Sequence, residues 1–409
     1  LEMGSDEYPS EISIRGYKPS NGVHVGQLKK AMTMLKSAHK PVILAGGGVK
    51  ISRAGESLTR LAEKMRIPVI TTIMGKGVIP TDHPMYVGNI GMYGNYASNK
   101  AISECDVLFA IGVRFGDRIT GKIEEFAKNA KIIHVDIDTA SISRNIVVNI
   151  PIVADAKTAL DEMLNHAASV KSEAWLKSID EWKKEIPITM SGYEGMTPEK
   201  IINRINDLFP DSIVTTDVGQ NQLWTTQYIR MDGKRQFLTS GGLGTMGYGL
   251  PAAIGASIGN PGKPVICISG DGGAQMNIQE LATAHALETP VILCIFNNTY
   301  LGNVKQMQKM FYNKRYSSTC LRYSRSCNRQ CRIDGTCTGR DYVPDFVKLA
   351  ESYGCVGIRV EDESQMDEAF KRAAENTKSV TLIEFMLDCE YDVYPMVPGG
   401  AALSDMMFG

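Results

Sequence analysis

The chain lacks a dominant charge. Its 44 lysines and arginines meet 45 aspartates and glutamates, leaving −1 at pH 7. That balance excludes the basic field by which a protein gathers nucleic acid or an anionic membrane surface, so neither is expected as a partner. No apolar run reaches the ~20 residues of a bilayer-spanning helix, and no basic-then-apolar leader opens the chain. A cytoplasmic enzyme of bacterial type is the resulting expectation. Histidines are few: His24, His39, His83, His134, His166 and His285 are scattered and read as structural. Internal repeats and long low-complexity segments are missing as well.

What is present describes a globular protein. Hydrophobic residues make up 43% and charged residues 22% of 409, which is ordinary for a folded chain and long enough for two domains. Residues 1–22 are polar, with Pro9, Pro19 and Gly22, and read as a linker. The opening Leu1-Glu2-Met3 points to a fragment or processed product. From there, apolar runs of strand length alternate with helical patterns. Strands are expected at Lys40–Ala45, Ile67–Thr72, Val107–Gly112 and Lys131–Asp136, then at Ile213–Thr216, Val265–Ser269, Val291–Phe296 and Thr381–Phe385. Helices are expected at Gln27–Ser37, Ser57–Met65, Asp155–Ala167 and Asn277–Leu287. Such alternation predicts an α/β fold of two doubly wound parallel sheets. The expected division is a domain over 23–167, a connector over 168–190, and a second domain over 191–409 with an insertion at 318–340.

The most informative segment opens with Gly270-Asp271-Gly272 and closes with Asn297-Asn298, Asp271 and Asn298 lying 27 positions apart. Strand, helix and strand form a βαβ unit, so both residues should emerge at the carboxyl edge of one sheet, where open α/β sheets bind ligands. A carboxylate and an amide oxygen beside phosphate-cradling glycines suit a Mg²⁺-bridged diphosphate. The pattern resembles the thiamin-diphosphate signature. That resemblance implies Mg²⁺ held by Asp271, Asn298 and the main-chain oxygen of Tyr300, with Gly270, Gly272, Gly273 and Asn303 near the diphosphate.

Thr239-Ser240-Gly241-Gly242-Leu243-Gly244-Thr245-Met246-Gly247-Tyr248-Gly249 and Tyr394-Pro395-Met396-Val397-Pro398-Gly399-Gly400-Ala401 narrow the resemblance. Both are similar to the acetolactate (acetohydroxyacid) synthase catalytic subunit. By that similarity Met246 wedges the cofactor into a bent shape, the Gly244 carbonyl accepts from its aminopyrimidine, and Gln220 and Asn221 stand where Gln-His usually meets the diphosphate. The implied reaction decarboxylates pyruvate and joins the resulting two-carbon unit to a second 2-keto acid, pyruvate or 2-ketobutyrate, in branched-chain amino acid biosynthesis. The cofactor is the electron sink there. The same resemblance implies a homodimer or tetramer with room for a small regulatory subunit.

In the first domain, Gly46-Gly47-Gly48 after a strand is by itself a weak dinucleotide fingerprint. The family carries non-redox FAD here, and the resemblance extends to Thr71, Thr72, Gly75, Gly77, Gly91, Met92, Gly94, Gly112, Arg114, Phe115, Arg118, Asp136, Ile137, Asp155 and Ala156. Arg118 also matches the arginine that helps bind the second substrate's carboxylate. Two positions depart from the family pattern: Tyr93 replaces a histidine, and Gly116 removes a carboxylate, so weaker FAD affinity is expected. A third departure, Met307 where tryptophan is usual, predicts less preference for 2-ketobutyrate and less sensitivity to inhibitors that stack there.

Nine cysteines remain. Cys105, Cys267, Cys294, Cys355 and Cys389 read as small core residues. Cys320, Cys327, Cys331 and Cys337 lie in an arginine-rich insertion and could hold a second metal (zinc or an iron–sulfur cluster), stand as free thiols, or form a disulfide pair, which a cytosolic setting disfavours; their spacing matches neither common zinc motif. The resemblance lacks the family's amino-terminal domain, whose glutamate acts on the cofactor from a partner subunit, so this chain alone is expected to be inactive. Two alternatives stay open: another thiamin-diphosphate carboligase such as glyoxylate carboligase, and a non-catalytic nucleotide-binding protein of the same fold.

Overall fold

The computed structural model describes residues 10–11, 14–15, 22–233, 235–323 and 344–409. Among the described residues there are twelve strands in two six-stranded sheets, every strand pairing being parallel. The first comprises β1 (Pro41–Ala45), β2 (Val69–Thr71), β3 (Tyr86–Asn89), β4 (Val107–Ile111), β5 (Lys131–Asp136) and β6 (Ile150–Val153), in the order β3-β2-β1-β4-β5-β6. The second comprises β7 (Ile213–Thr216), β8 (Gln236–Thr239), β9 (Val265–Gly270), β10 (Val291–Asn297), β11 (Val356–Val360) and β12 (Thr381–Met386), ordered β11-β12-β10-β9-β7-β8.

Strand sequences such as PVILA and VILCIFN are apolar at nearly every position because both faces are covered. Side chains alternate across the sheet. Ile43 packs with Leu28, Leu61 and Leu160 of the helices Val25–Lys36, Gly55–Met65 and Ala156–His166. Val42 and Leu44 face Ala101, Trp175 and Ile179 of Tyr96–Glu104 and Glu173–Glu185. In the second sheet Ile268 and Phe385 meet Ile202, Trp224 and Phe370, while Cys267 and Leu293 meet Ala253, Leu281 and Phe346. The expected central strands are all present. Four strands went unforeseen, β3, β6, β8 and β11, and each is a sheet edge. The expected helix over Asn277–Leu287 is shorter: a 3₁₀ turn at Gln275–Asn277 precedes a helix at Glu280–Ala286. Four of the five core cysteines are buried, but Cys389, past the end of β12, is only half-buried. Among the described residues no helix is long and apolar enough to cross a membrane.

In each sheet the chain leaves the earlier strands on one side and continues on the other, at a switch point. In the first sheet it lies between β1 and β4, in the second between β7 and β9. Crevices at the carboxyl ends of such strand pairs are where open parallel sheets take ligands.

Candidate functional site

Three adjacent strands deliver the second crevice. β7 ends into Asp217-Val218-Gly219, β9 into Gly270-Asp271, and β10 into Asn298. Phe296 pairs with Gly270 in the β9–β10 register, so Asp271 and Asn298 leave neighbouring strands at the same level. Asp271 is 1% exposed. Its Oδ1 accepts from the Gly272 N–H at 2.8 Å, while Oδ2 is buried with no hydrogen-bond partner among the described residues. Desolvation is the largest influence on this carboxyl and pushes it up to about 7. An unsatisfied buried carboxylate oxygen is costly unless a cation meets it. The residues present therefore fit a divalent ion.

The turn after β10 completes the arrangement. Asn298 donates from Nδ2 to Gln220 Oε1 at 3.1 Å, and its Oδ1 accepts from Tyr300 N–H at 3.2 Å. Tyr300 bridges antiparallel to Cys320. The bridge is made by Leu301 N–H to Thr319 O and Leu321 N–H to Thr299 O. Gly302 follows, where a Cβ would stand 1.9 Å from Gln220 Oε1 and 2.8 Å from Asn298 Nδ2. Only glycine allows the helix Gly302–Phe311 to start so close to these amides. Gln220 Nε2 donates to Tyr391 O at 3.0 Å. Asn221 Nδ2 donates to Asp217 O at 2.9 Å and Ile268 O at 3.0 Å, clamping the ends of β7 and β9.

Asp217 had drawn no attention as a site residue. It is 1% exposed and accepts from Gly247 N–H at 2.9 Å and Gly249 N–H at 3.0 Å, so it anchors the glycine-rich loop over the crevice. Gly273 allows this, since a Cβ there would lie 2.5 Å from Asp217 Oδ1. Gly244 takes φ +67 and is exposed, Met246 is half-buried, and Leu243 is 95% exposed.

The first crevice is built from backbone contacts. Gly46 N–H donates to Ile111 O at 3.0 Å, and Gly48 N–H to Gly112 O at 3.2 Å. Thr71 is fully buried and accepts from Asn89 Nδ2 at 3.0 Å, and Thr72 Oγ1 caps Gly75 N–H at 3.1 Å. Gly47 stands beside Met74, and Gly91 closes on the Arg118 carbonyl, which accepts from Met92 N–H at 2.9 Å. Burial raises the Asp136 carboxyl, Ile137 is exposed, and Asp155 caps the helix beginning at Ala156, accepting from Thr158 N–H at 3.1 Å. Arg114 and Arg118 are exposed, and among the described residues neither forms an ion pair. Lys76 is 2% exposed, its ammonium brought down to about 7 by burial. Glycines, guanidiniums outside any ion pair and a carboxylate at the end of β5 fit a dinucleotide.

The two crevices meet. Tyr93 donates its hydroxyl to Asn303 Oδ1 at 3.0 Å, Val397 N–H donates to Met92 O at 2.7 Å, and a Cβ on Gly241 would lie 2.6 Å from Met74 Sδ.

Residues 28–163 match the family described as "Thiamine pyrophosphate enzyme, central domain", and residues 217–385 match "Thiamine pyrophosphate enzyme, C-terminal TPP binding domain". A "Probable acetolactate synthase large subunit" of Methanococcus aeolicus is 42% identical over 428 residues, covering 100% of this chain and 68% of that protein. The chain belongs to the acetolactate synthase large-subunit family. A second relative, from Methanocaldococcus jannaschii, is 43% identical over 99% of this chain and 67% of its own length. The isozyme 3 large subunit of Escherichia coli K12 is 37% identical over 98% of this chain and 68% of its own. The chain thus spans about two thirds of these relatives' length, and its thiamin diphosphate domain holds the crevice built on Asp271.

Within this family's frame, Met307 is half-buried on the helix that starts at Gly302. Of the four clustered cysteines, Cys320 lies in the bridge to Tyr300. Cys327, Cys331 and Cys337 lie outside the described residues, among which no cluster of three metal-ligating side chains occurs.

Proposed function

We propose that this chain supplies the diphosphate-binding and flavin-binding parts of an acetolactate synthase, acting on pyruvate and a second 2-keto acid. The observation that carries the cofactor assignment is the orphaned, buried Oδ2 of Asp271. It stands at the switch-point crevice, one strand from Asn298. Thiamin diphosphate, when bound, supplies the electron sink for decarboxylation and carbon–carbon bond formation. The chain's own residues have defined tasks. Asp271, Asn298 and the Tyr300 carbonyl would hold Mg²⁺, and the glycines Gly270, Gly272 and Gly273 would let the diphosphate approach the backbone there. Asp217 fixes the loop bearing Gly244 and Met246, which would orient the cofactor's ring system. Arg118, exposed and outside any ion pair among the described residues, would take a substrate carboxylate in its fork of donors.

FAD belongs, on this proposal, at the first crevice among Gly46, Gly47, Thr71, Thr72, Gly91, Met92, Gly112, Arg114, Asp136, Ile137, Asp155 and Ala156. The two parts divide as a flavin domain over 23–167 and a thiamin diphosphate domain over 191–409. A homodimer or tetramer with a small regulatory subunit fits the "large subunit" names of the relatives. Calorimetric titration of thiamin diphosphate with Mg²⁺ and with EDTA tests the assignment. Binding is expected only with Mg²⁺, and equal binding in EDTA, or by Asp271→Ala, refutes it.

A further inference from the structure

Glu384 touches none of the residues assigned to the cofactor, yet it is connected to them. It lies within β12, between β11 and β10, and is 2% exposed. Its strand neighbours Leu382, Ile383 and Phe385 are fully buried, as expected for a parallel strand covered on both faces. A carboxylate at such a place is costly unless both oxygens are engaged. Both are. Oε2 accepts from Arg359 Nε at 2.8 Å, and the same guanidinium donates to Asp345 Oδ1 at 2.9 Å. Oε1 accepts from Asn297 Nδ2 at 2.7 Å. Arg359 is 38% exposed, so only the carboxylate of this pair is buried; an apolar residue would fill the strand position without that desolvation cost, so the carboxylate calls for another use.

Asn297 is the last residue of β10 and is 1% exposed. A carboxylate only accepts and a backbone N–H only donates, so one asparagine amide joins them in one orientation. Nδ2 turns to Glu384, and Oδ1 accepts from Thr299 N–H at 3.0 Å. Thr299 has φ +61, a left-handed conformation that a β-branched residue keeps only where its surroundings over-determine it. This reversal sets the directions in which Asn298 and the Tyr300 carbonyl leave the strand.

We infer that Glu384 is a positioning residue for the cation–diphosphate site, fixing the Thr299 turn by holding the Asn297 amide in a single orientation. The inference rests on the cofactor assignment made above. Its test is the Mg²⁺ concentration that half-saturates thiamin diphosphate binding to this chain, measured by calorimetry. Glu384→Ala and Asn297→Ala should each raise it about tenfold, the scale of one buried hydrogen bond. The double variant should be no worse than either single one, because both act on one link. Glu384→Gln keeps an acceptor for Asn297 and should stay within about threefold of wild type. Ile383→Val, a core change on the same strand, should leave the value unmoved. A Glu384→Ala protein that melts lower but keeps wild-type Mg²⁺ dependence overturns the inference, as does multiplication of the two single effects. Should Glu384→Ala fail to fold, Asn297→Ala leaves the Glu384–Arg359 pair intact and must show the tenfold loss, and unchanged affinity there is equally fatal. Wild-type protein that binds without Mg²⁺ dependence overturns the cofactor assignment and this inference together. Normal wild-type binding with unaffected variants overturns this inference alone.

Discussion

Replacing Asp271 by asparagine should strengthen the metal-free fold while removing the cofactor. Burial raises this carboxyl from 3.8 to about 7 in the folded chain. The folded state therefore holds a proton more tightly than the unfolded state between those values, and stability falls as pH rises through that window. Below about pH 4 the protonated group costs nothing. Above about pH 7 the full cost of the buried ion is in place, about 4 kcal/mol at 1.36 kcal/mol for each unit of difference. The Asp271→Asn side chain would carry no charge at any pH. Its Oδ1 can keep the bond from Gly272 N–H, but its amide nitrogen would stand where Oδ2 now lacks a partner. An unpaired buried polar group costs about 1 to 3 kcal/mol, so the net gain at pH 8 is about 1 to 3 kcal/mol. Thermal melts in EDTA at pH 5 and pH 8 provide the measurement. The wild-type protein should lose stability relative to Asp271→Asn across that interval and regain it with Mg²⁺ and thiamin diphosphate, whereas the variant should not respond to them. Equal pH dependence of the two proteins in EDTA would refute the buried-charge account.

Three other substitutions probe the site. Gly302→Ala puts a methyl group 1.9 Å from Gln220 Oε1, and overpacking of about 1 to 3 kcal/mol should appear as at least a tenfold loss in thiamin diphosphate affinity by calorimetry. Met307→Trp restores a rigid aromatic face where a flexible side chain now stands. Once complemented with the family's amino-terminal domain, its product ratio with pyruvate and 2-ketobutyrate in competition should move toward 2-ketobutyrate, and an unchanged ratio counts against any part for this position in acceptor choice. Tyr93→Phe deletes the hydroxyl that reaches Asn303; a loss of about 1 kcal/mol should weaken cofactor binding about fivefold, and Tyr93→His should raise the flavin retained on purification, read from its visible absorbance.

The sheet centres were legible because strands covered on both faces are written as nearly unbroken apolar runs, as in PVILA, VLFAI and VILCIFN. The four edge strands were not. YVGN, IPIV, QFLT and VGIRV mix glycine, proline or polar residues into short segments, since an edge strand has one unpaired side and less to bury. The Asp271–Asn298 pairing could be read because both residues follow strands of one βαβ unit, so local pattern and chain connectivity coincide. The supports of that pair were hidden by distance along the chain. Gly247 reaches Asp217 across 30 positions and Asn297 reaches Glu384 across 87. Their residue types are unremarked in isolation, and only the sheet order brings them together. The inward commitment of the Gln220 and Asn221 amides was hidden for the same reason.

The glycines of the two crevices show why folds of one plan carry different chemistry. In the first sheet a Cβ on Gly46 would lie 2.1 Å from Gly112 O, one on Gly48 2.6 Å from Gly112 Cα, and one on Gly75 2.3 Å from Ala45 O. There the missing side chain lets backbone approach backbone, leaving a shaped surface whose charges come from exposed arginines. In the second sheet two of the obstacles would be side-chain oxygens, Asp217 Oδ1 for Gly273 and Gln220 Oε1 for Gly302, while Gly272 and Gly249 would meet Leu301 Cδ2 and Asp217 N. There the missing side chain makes room for buried polar groups, which packing alone would exclude from a core and which Asn298 and Asp217 then organise around Asp271. Shape with exposed charge suits a long ligand held along its length. A dry carboxylate among fixed amides would suit a compact ion, because the Asn298, Gln220 and Asn221 amides are already committed to neighbours and Asp271 Oδ2 has no hydrogen-bond partner among the described residues.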